Sequence, residues 1–106
     1  MNTIYTILER TIEENLEITI IQFSSQKHPV FQAHFPSNPL LPAFLLIDIL
    51  AEVQGDSIKK IIKSKFISPI LPHDTVRCEC KKSHHKKKFK LYKNNIKISE
   101  IHYESQ

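Results

Sequence analysis

His34 and Asp48 are the two residues whose types and setting suit proton transfer. They stand fourteen positions apart in "HFPSNPLLPAFLLID", residues 34–48. An imidazole titrates near neutral pH and can take a proton during a reaction. Pro36, Pro39 and Pro42 follow His34, and a proline-stiffened loop would hold the ring in place, as a positioned base requires. Asp48 interrupts an apolar run. Desolvation there would raise its pKa and let it give a proton. Taken alone, a His and an Asp at this separation carry little information. The alternative is a histidine that caps its loop and an aspartate hydrogen-bonded at a subunit contact.

The elements that would position this pair can be read from periodicity. "AFLLIDILAEVQ" (43–54) is a helix candidate. Pro42 suits a first helical position, Gly55 is placed to stop the helix, and a helix apolar on most sides is a buried one. "LEITIIQF" (16–23) alternates, with Leu16, Ile18 and Ile20 on one side and Glu17 and Thr19 on the other, and reads as a strand. "EEN" (13–15) would be a hairpin turn before it. Residues 24–42 read as a loop dense with turn formers. The first segment is open between a helix striped by Ile4, Ile7, Leu8 and Ile12 and a β-branched strand. The stretch after Gly55 is equally open, until Pro69 and Pro72 break it. From Thr75 onward three alternating segments follow, the last two joined by Asn94-Asn95, and predict an antiparallel meander. The fold class is α+β, a sheet packed on one buried helix. No repeat or linker divides the chain, so residues 1–106 read as a single domain.

Composition sets outer bounds. With 106 residues, 41% hydrophobic and 25% charged, the chain can fold but has a thin core that a partner subunit would help. No apolar stretch reaches the ~18 residues of a membrane span, and the N-terminus lacks the pattern of a secretory signal. The expectation is a cytoplasmic protein with no membrane association. Cys78 and Cys80 would share one strand face, where they could not easily bond to each other, and read as free thiols; a zinc site would need more ligands. The one glycine means that turns with positive φ must fall on Asn or Asp, or be avoided. His28 and His73 read as loop residues rather than ligands. His84-His85 would face opposite ways on a strand, which disfavours a metal site. Net charge is +4, but "KKSHHKKKFK" (81–90) holds six lysines and no acid, which leaves the rest of the chain at −2. That strip reads first as a solvated hairpin whose lysines also discourage edge-to-edge aggregation. Nucleic acid is not expected, since Phe89 and Tyr92 are the only nearby aromatics and no recognition motif is present.

"HFPSNPLLPAFLLID" resembles the signature of the hot-dog-fold 3-hydroxyacyl-acyl-carrier-protein dehydratases of fatty acid synthesis. That pattern is His-Phe-Pro-Gly, Asn or Asp, Pro, two apolar residues, Pro-Gly, and a helix with an acid fourteen residues after the histidine. Pro36, Asn38, Pro39 and Pro42 fall in place. "KFISPILPHDTV" (65–76) is similar to the family's second stretch, which ends in Pro, two residues and Pro-Gly-Asp. The N-terminal third is similar to shorter members of the superfamily, including dehydratases of aryl polyene pathways. Departures are Ser37, Ala43 and His73 where the family has glycine, Asp48 for the commoner Glu (as in the isomerising branch), and Glu52 for a helical Gln.

The resemblance implies a long helix wrapped by an antiparallel sheet, a dimer, and strands at 5–12 and 57–66. It implies dehydration of a 3-hydroxyacyl thioester on acyl carrier protein to a trans-2-enoyl thioester, with no metal or organic cofactor. His34 would remove the α proton and Asp48 would protonate the leaving hydroxyl, the two coming from different subunits. The N–H of Ala43, at the helix start, would face the thioester oxygen. Phe35, Phe44 and Leu45 would line the acyl channel, being core residues first, and Glu52 would sit one turn beyond Asp48, where a solvated or interface role competes. The basic strip would dock an acidic carrier protein. Two other readings stay open. One is a non-catalytic hot-dog chain that binds an acyl thioester or partners another subunit, favoured by Ser37, Ala43 and His73. The other is a thioesterase, since the fold does not fix the reaction.

Overall fold

The computed structural model describes residues 4–25, 29–33 and 40–106. Six strands form one antiparallel sheet: β1 (Tyr5–Glu13), β2 (Leu16–Phe23), β3 (Ile58–Phe66), β4 (Thr75–Ser83), β5 (Lys86–Lys93) and β6 (Ile96–Ser105). The order across the sheet is β1-β2-β4-β5-β6-β3, so β1 and β3 are its two edges. Between β2 and β3 come a short helix, α1 (Pro29–Ala33), and the main helix, α2 (Ala43–Gln54). The expected helix 43–54, the strands at both ambiguous segments and the C-terminal meander are all present. α1 is a correction to the reading of 24–42 as loop throughout.

α2 is held because its apolar side chains close the core. Leu46, Ile47, Ile49, Leu50, Ala51 and Val53 are buried and join one cluster with inward residues of the sheet, among them Ile21, Val76, Phe89, Leu91, Ile101 and Tyr103. Burying each large aliphatic side chain contributes about 1.5–3 kcal/mol. The helix ends as Gly55 predicts: φ is 72°, Gly55 N–H reaches the Glu52 carbonyl at 3.1 Å, and Asp56 N–H reaches that of Ala51 at 2.9 Å. These two bonds form a Schellman closure.

Inner and outer faces of β2 fall the other way round from its hydropathy. Glu17, Thr19, Ile21 and Phe23 point inward and are buried, whereas Leu16, Ile18 and Ile20 are only partly covered on the outer face. Glu17 tolerates burial because three groups satisfy it: Gln54 Nε2 at 2.5 Å, Arg10 at 3.1 Å and Lys82 at 3.3 Å. Burial by itself would raise its pKa, but the bonds from Gln54, Lys82 and Arg10 outweigh it and hold the carboxyl below its ordinary value. Beside it, Asp56 accepts bonds from Lys87 and from the Tyr103 hydroxyl, both at 2.6 Å. Here too burial opposes ionisation, and the Lys87 and Tyr103 bonds overcome it, so the carboxyl is held low. Lys82 and Lys87 are direct cross-strand partners. Each meets a carboxylate at the C-terminal end of α2, where positive charge also suits the helix dipole.

Positive φ occurs at Asn94 and Asn95, as expected for a type I′ hairpin, but also at Glu14, His73 and His84, which the restriction to Asn and Asp did not foresee. His73, at 68°, stands where the resembled motif has glycine. His73→Gly should therefore raise stability, by up to about 1 kcal/mol, while Gly55→Ala should lower it by about 1 kcal/mol, since no atom lies within 4 Å of the added Cβ and only backbone strain is felt; urea unfolding of both variants checks the opposite signs. The Glu17 cluster gives a pH prediction. Its folded pKa lies below the unfolded value, so its stabilisation is complete above the unfolded carboxylate range and is lost as pH falls through the folded value. Glu17→Gln should cost about 1–3 kcal/mol at pH 7, the lower end being favoured by two half-exposed cations that water can reach. The gap to wild type should narrow as pH falls below the ordinary carboxylate range; a gap independent of pH would show that the carboxylate's charge does not stabilise the fold.

Candidate functional site

The N-terminal end of α2 is built differently from its C-terminal end. Pro42, extended at φ −59° and ψ 138°, precedes the helix rather than forming its first residue, and no described side chain caps it. The Pro42 carbonyl accepts from Leu45 at 3.1 Å and Leu46 at 3.3 Å. The amides of Ala43 and Phe44 come before this first turn of bonds and belong to the orphan donors of a helix start. Ala43 lies on the wall of an apolar cavity of ≈ 260 Å³, with Leu41, Leu46, Phe66, Ile70 and Ser99 among its other lining residues. Backbone bonds fix the walls: Leu41 N–H to the Ile70 carbonyl and Ile67 N–H to the Ile98 carbonyl, both 2.8 Å. The second proline stretch, 65–76, thus supplies one wall of the cavity and the start of α2 the other.

Asp48 and Glu52 lie elsewhere on the helix. Phe44, Asp48 and Glu52 form an i, i+4, i+8 stripe and all three are exposed, Phe44 at 62%; Leu45 is half-buried and packs against the core. Two corrections follow. The helix is not buried on every side, and Asp48 is not desolvated within one chain. Leu46, which faces the cavity, and Asp48 are separated by about 200° around the helix, and Asp48 is not among the residues lining the cavity. Within the described residues, then, a single chain brings Ala43 to the cavity and leaves Phe44, Asp48 and Glu52 on an open face. His34 and Phe35 lie outside the described residues, as does His28.

Glu52 is not simply solvated. The Tyr5 hydroxyl, at the start of β1, donates a short hydrogen bond to its carboxylate. Burial, then the bond and charge of Glu52, push the Tyr5 phenol up to about 12. Sequence reading gave Tyr5 no role, because the contact joins residues 47 positions apart. Ser99 and Leu46 were also unassigned, whereas Phe66 and Ile70 fall in the stretch that carried the second motif. Cys78 and Cys80 are buried free thiols on the inner face, as expected, and burial pushes both up to about 12, far from reactive thiolates. Among the described residues no group of three His, Cys, Asp or Glu gathers in a way that could hold a metal ion. His84 and His85 form the turn between β4 and β5. The basic strip is the hairpin of these strands. Because Lys82 reaches Glu17, to which Gln54 at the end of α2 also donates, it lies by the C-terminal end of α2, a helix length of roughly 18 Å from Ala43.

The family model for ApeI-like proteins, described as ApeI dehydratase, matches residues 9–101. The chain belongs to the ApeI-like dehydratase family. Among curated relatives, the bifunctional enzyme LpxC/FabZ of Chlorobaculum tepidum is 29% identical over 91 residues, which are 71% of this chain and 20% of that protein. The 3-hydroxyacyl-[acyl-carrier-protein] dehydratase FabZ of Thermoanaerobacter sp. is 37% identical over 54 residues, 51% of this chain and 38% of that one. The chain thus matches well under half the length of these relatives. Among solved structures, the dehydratase heterocomplex ApeI:P from Xenorhabdus doucetiae superposes with a TM-score of 0.79 at 22% identity, covering 94% of this chain and 96% of that one. An uncharacterized protein from Erwinia carotovora superposes at 0.71 and 18% identity. Both likenesses establish the fold, which is the hot-dog arrangement of this ApeI-like chain: an antiparallel sheet packed on the main helix α2. No described helix is long and apolar enough to cross a membrane.

The Tyr5–Glu52 bond makes a measurable claim. In the wild-type protein Tyr5 should remain protonated at pH 11, and Glu52→Gln should bring its midpoint down while leaving it above the ordinary value of 10.0, because burial persists. Carbon-13 NMR of labelled tyrosine reads both; an unchanged midpoint in the variant would mean that Glu52 does not face the phenol in solution.

Proposed function

We propose that this chain is a 3-hydroxyacyl-thioester dehydratase of acyl-chain biosynthesis, a cytoplasmic protein acting as a single hot-dog domain within a dimer or larger oligomer. The observation that carries the reading is the orphan amide of Ala43 on the wall of an apolar cavity. Such an amide can stabilise the negative charge that develops on a thioester oxygen when the α proton leaves. His34 is the base for that proton. Asp48 gives a proton to the 3-hydroxyl, the C3–O bond breaks, and water and a trans-2-enoyl thioester are the products. Phe35, Phe44 and Leu45 flank the acyl chain, and Glu52, held by Tyr5, borders the site. The carrier of the thioester is proposed to be acyl carrier protein, by analogy with the FabZ relatives.

The open face of α2 supports a site shared between subunits. Asp48 points away from its own chain's cavity, so it can serve a cavity presented by a neighbour, and a neighbour would supply the desolvation that a proton donor needs. The edge strand β3 carries exposed Ile61, Ile62 and Phe66, an apolar edge that suits a subunit contact. A second reading is that the neighbour is a different hot-dog chain and that this one contributes only part of the site. The Xenorhabdus structure, a heterocomplex, favours it.

Hydration of a crotonyl thioester, the reverse reaction, tests both readings by loss of enoyl absorbance. Wild type should be active, and His34→Ala and Asp48→Asn should each lose ~10²-fold or more. Mixing the two variants through an unfolding and refolding cycle should restore part of the activity, because mixed dimers contain one intact site. No restoration would place both residues in the same subunit's site. An inactive wild type that is a folded dimer would leave the non-catalytic or heteromeric reading standing.

A further inference from the structure

The basic hairpin has two faces, and only one has a structural task. Lys82 and Lys87 point inward and are bound to Glu17 and Asp56. Lys81, Lys88 and Lys90 point outward, onto the sheet face opposite α2. There they border a groove of ≈ 340 Å³ together with Leu16, Tyr92 and His102. Lys81 is the direct cross-strand partner of Lys88, and Lys88 that of His102. Lys63 continues the row on β3. Adjacent partners stand about 5 Å apart, and like charges placed directly opposite one another destabilise a sheet.

Two carboxylates reach the groove, Glu79 and Glu100, but both are committed to other cations. Glu79 lies 3.1 Å from Arg77 Nε, and the Arg77 guanidinium also stacks on the Tyr92 ring at 4.8 Å. Glu100 accepts bonds from Lys97 at 2.9 Å and Lys63 at 3.0 Å. Hydrogen bonds from Lys97 and Lys63 hold its carboxyl down at about 2. Among the described residues, Lys81, Lys88 and Lys90 have no carboxylate partner within ion-pair distance. His102 reports the resulting field. Burial, then the charge of Lys88, lower its pKa, with Lys63 and Lys90 adding to the effect and only Glu100 opposing it.

We propose that this outer groove binds a phosphate-bearing anion of at least two negative charges, through Lys81, Lys88 and Lys90, with Leu16 and Tyr92 flanking its organic part. Three lysines line this concave, partly apolar surface. Lys90 stands opposite Glu79 and Glu100 in the register, but both carboxylates are bonded to other cations, and the Lys81–Lys88 pair has no acid across from it, so the groove concentrates anions. Lysine serves phosphate as a point charge, with no need for the planar geometry of an arginine fork. A dianion relieves the Lys81–Lys88 repulsion that the sheet register imposes. The site lies across the sheet from the Ala43 cavity and does not depend on the dehydratase reading. The phosphate can come from a free phosphate ester or from a lipid headgroup, which present the same chemistry.

The test titrates the full chain with sodium pyrophosphate and follows amide shifts by NMR. Saturable 1:1 shifts should centre on residues 81, 88, 90 and 102, and His102 should titrate at higher pH when the anion is bound. Lys88→Gln/Lys90→Gln should weaken binding about tenfold or more, whereas Lys59→Gln/Lys86→Gln, which removes the same charge outside the groove, should change it less than about threefold. Sedimentation with phosphatidylcholine vesicles containing phosphatidic acid separates the sources. Capture that pyrophosphate and the groove variant both abolish identifies the lipid headgroup, and absence of capture with pyrophosphate binding intact identifies a free ester. Shifts spread over all lysines, equal losses in the two double variants, or no shifts in the groove would overturn the proposal. The wild-type shift map decides this even if a variant fails to fold.

Discussion

Covering an apolar helix is the constraint on which the rest of this molecule depends. α2 has buried side chains on most of its circumference, and a helix of that kind has no stable existence in water by itself. The sheet covers it with the buried inner rows of four strands, β2, β4, β5 and β6, yet three turns of helix still show one exposed stripe, Phe44, Asp48 and Glu52. A domain of this length has too little chain to close every face. The stripe is therefore the place where packing stops and where a second chain, substrate or both can approach.

The two ends of α2 divide the work. At the C-terminal end the backbone closes on itself through Gly55, and two inward lysines meet two shielded carboxylates, Glu17 and Asp56. Replacing such pairs by apolar residues need not weaken a fold, so their value here lies more in fixing register than in net stability. Lys82 and Lys87 can reach their partners only if β4 and β5 are paired as observed and α2 ends where it does. At the N-terminal end no described side chain caps the helix, and the amide of Ala43 is left beside a cavity. One end of this short helix is thus closed and ion-paired, and the other is open beside an apolar cavity.

How far the sequence showed this depends on whether a feature is local. α2, the meander and the Asn94-Asn95 turn follow from short-range periodicity and turn chemistry, and all were legible. β1 and β3 were not legible from their residues, because edge strands are exposed on much of both faces and lose the period of two; Ile7, Leu8 and Ile12 on β1 and Ile61 and Ile62 on β3 are all exposed. Only the resemblance settled them. The face of β2 was harder still. Its hydropathy alone suggests that Leu16, Ile18 and Ile20 are inside, but Glu17 and Thr19 are. The reason is non-local: Gln54 and Lys82, 37 and 65 positions away, make the burial of Glu17 tolerable. In the candidate site the spacing from Pro42 to Asp48 was legible, and the tie from Tyr5 to Glu52 was not.

The basic strip shows why a run of like residues should be read through the pleat of a strand. As composition it is one feature, six lysines in ten positions. On the hairpin it becomes two, because successive side chains point to opposite faces. The inward pair is satisfied by acids from β2 and from the end of α2. The outward set faces carboxylates already bonded to Arg77, Lys63 and Lys97. A single-face explanation, whether solvation or docking, would leave one half of the lysines without a reason. It would also misplace the strip, since its inward half locks onto the end of α2 that is farthest from Ala43. Any partner that the outer lysines attract approaches the back of the sheet, and its effect on the cavity would have to pass through β4, β5 and the helix end that they clamp.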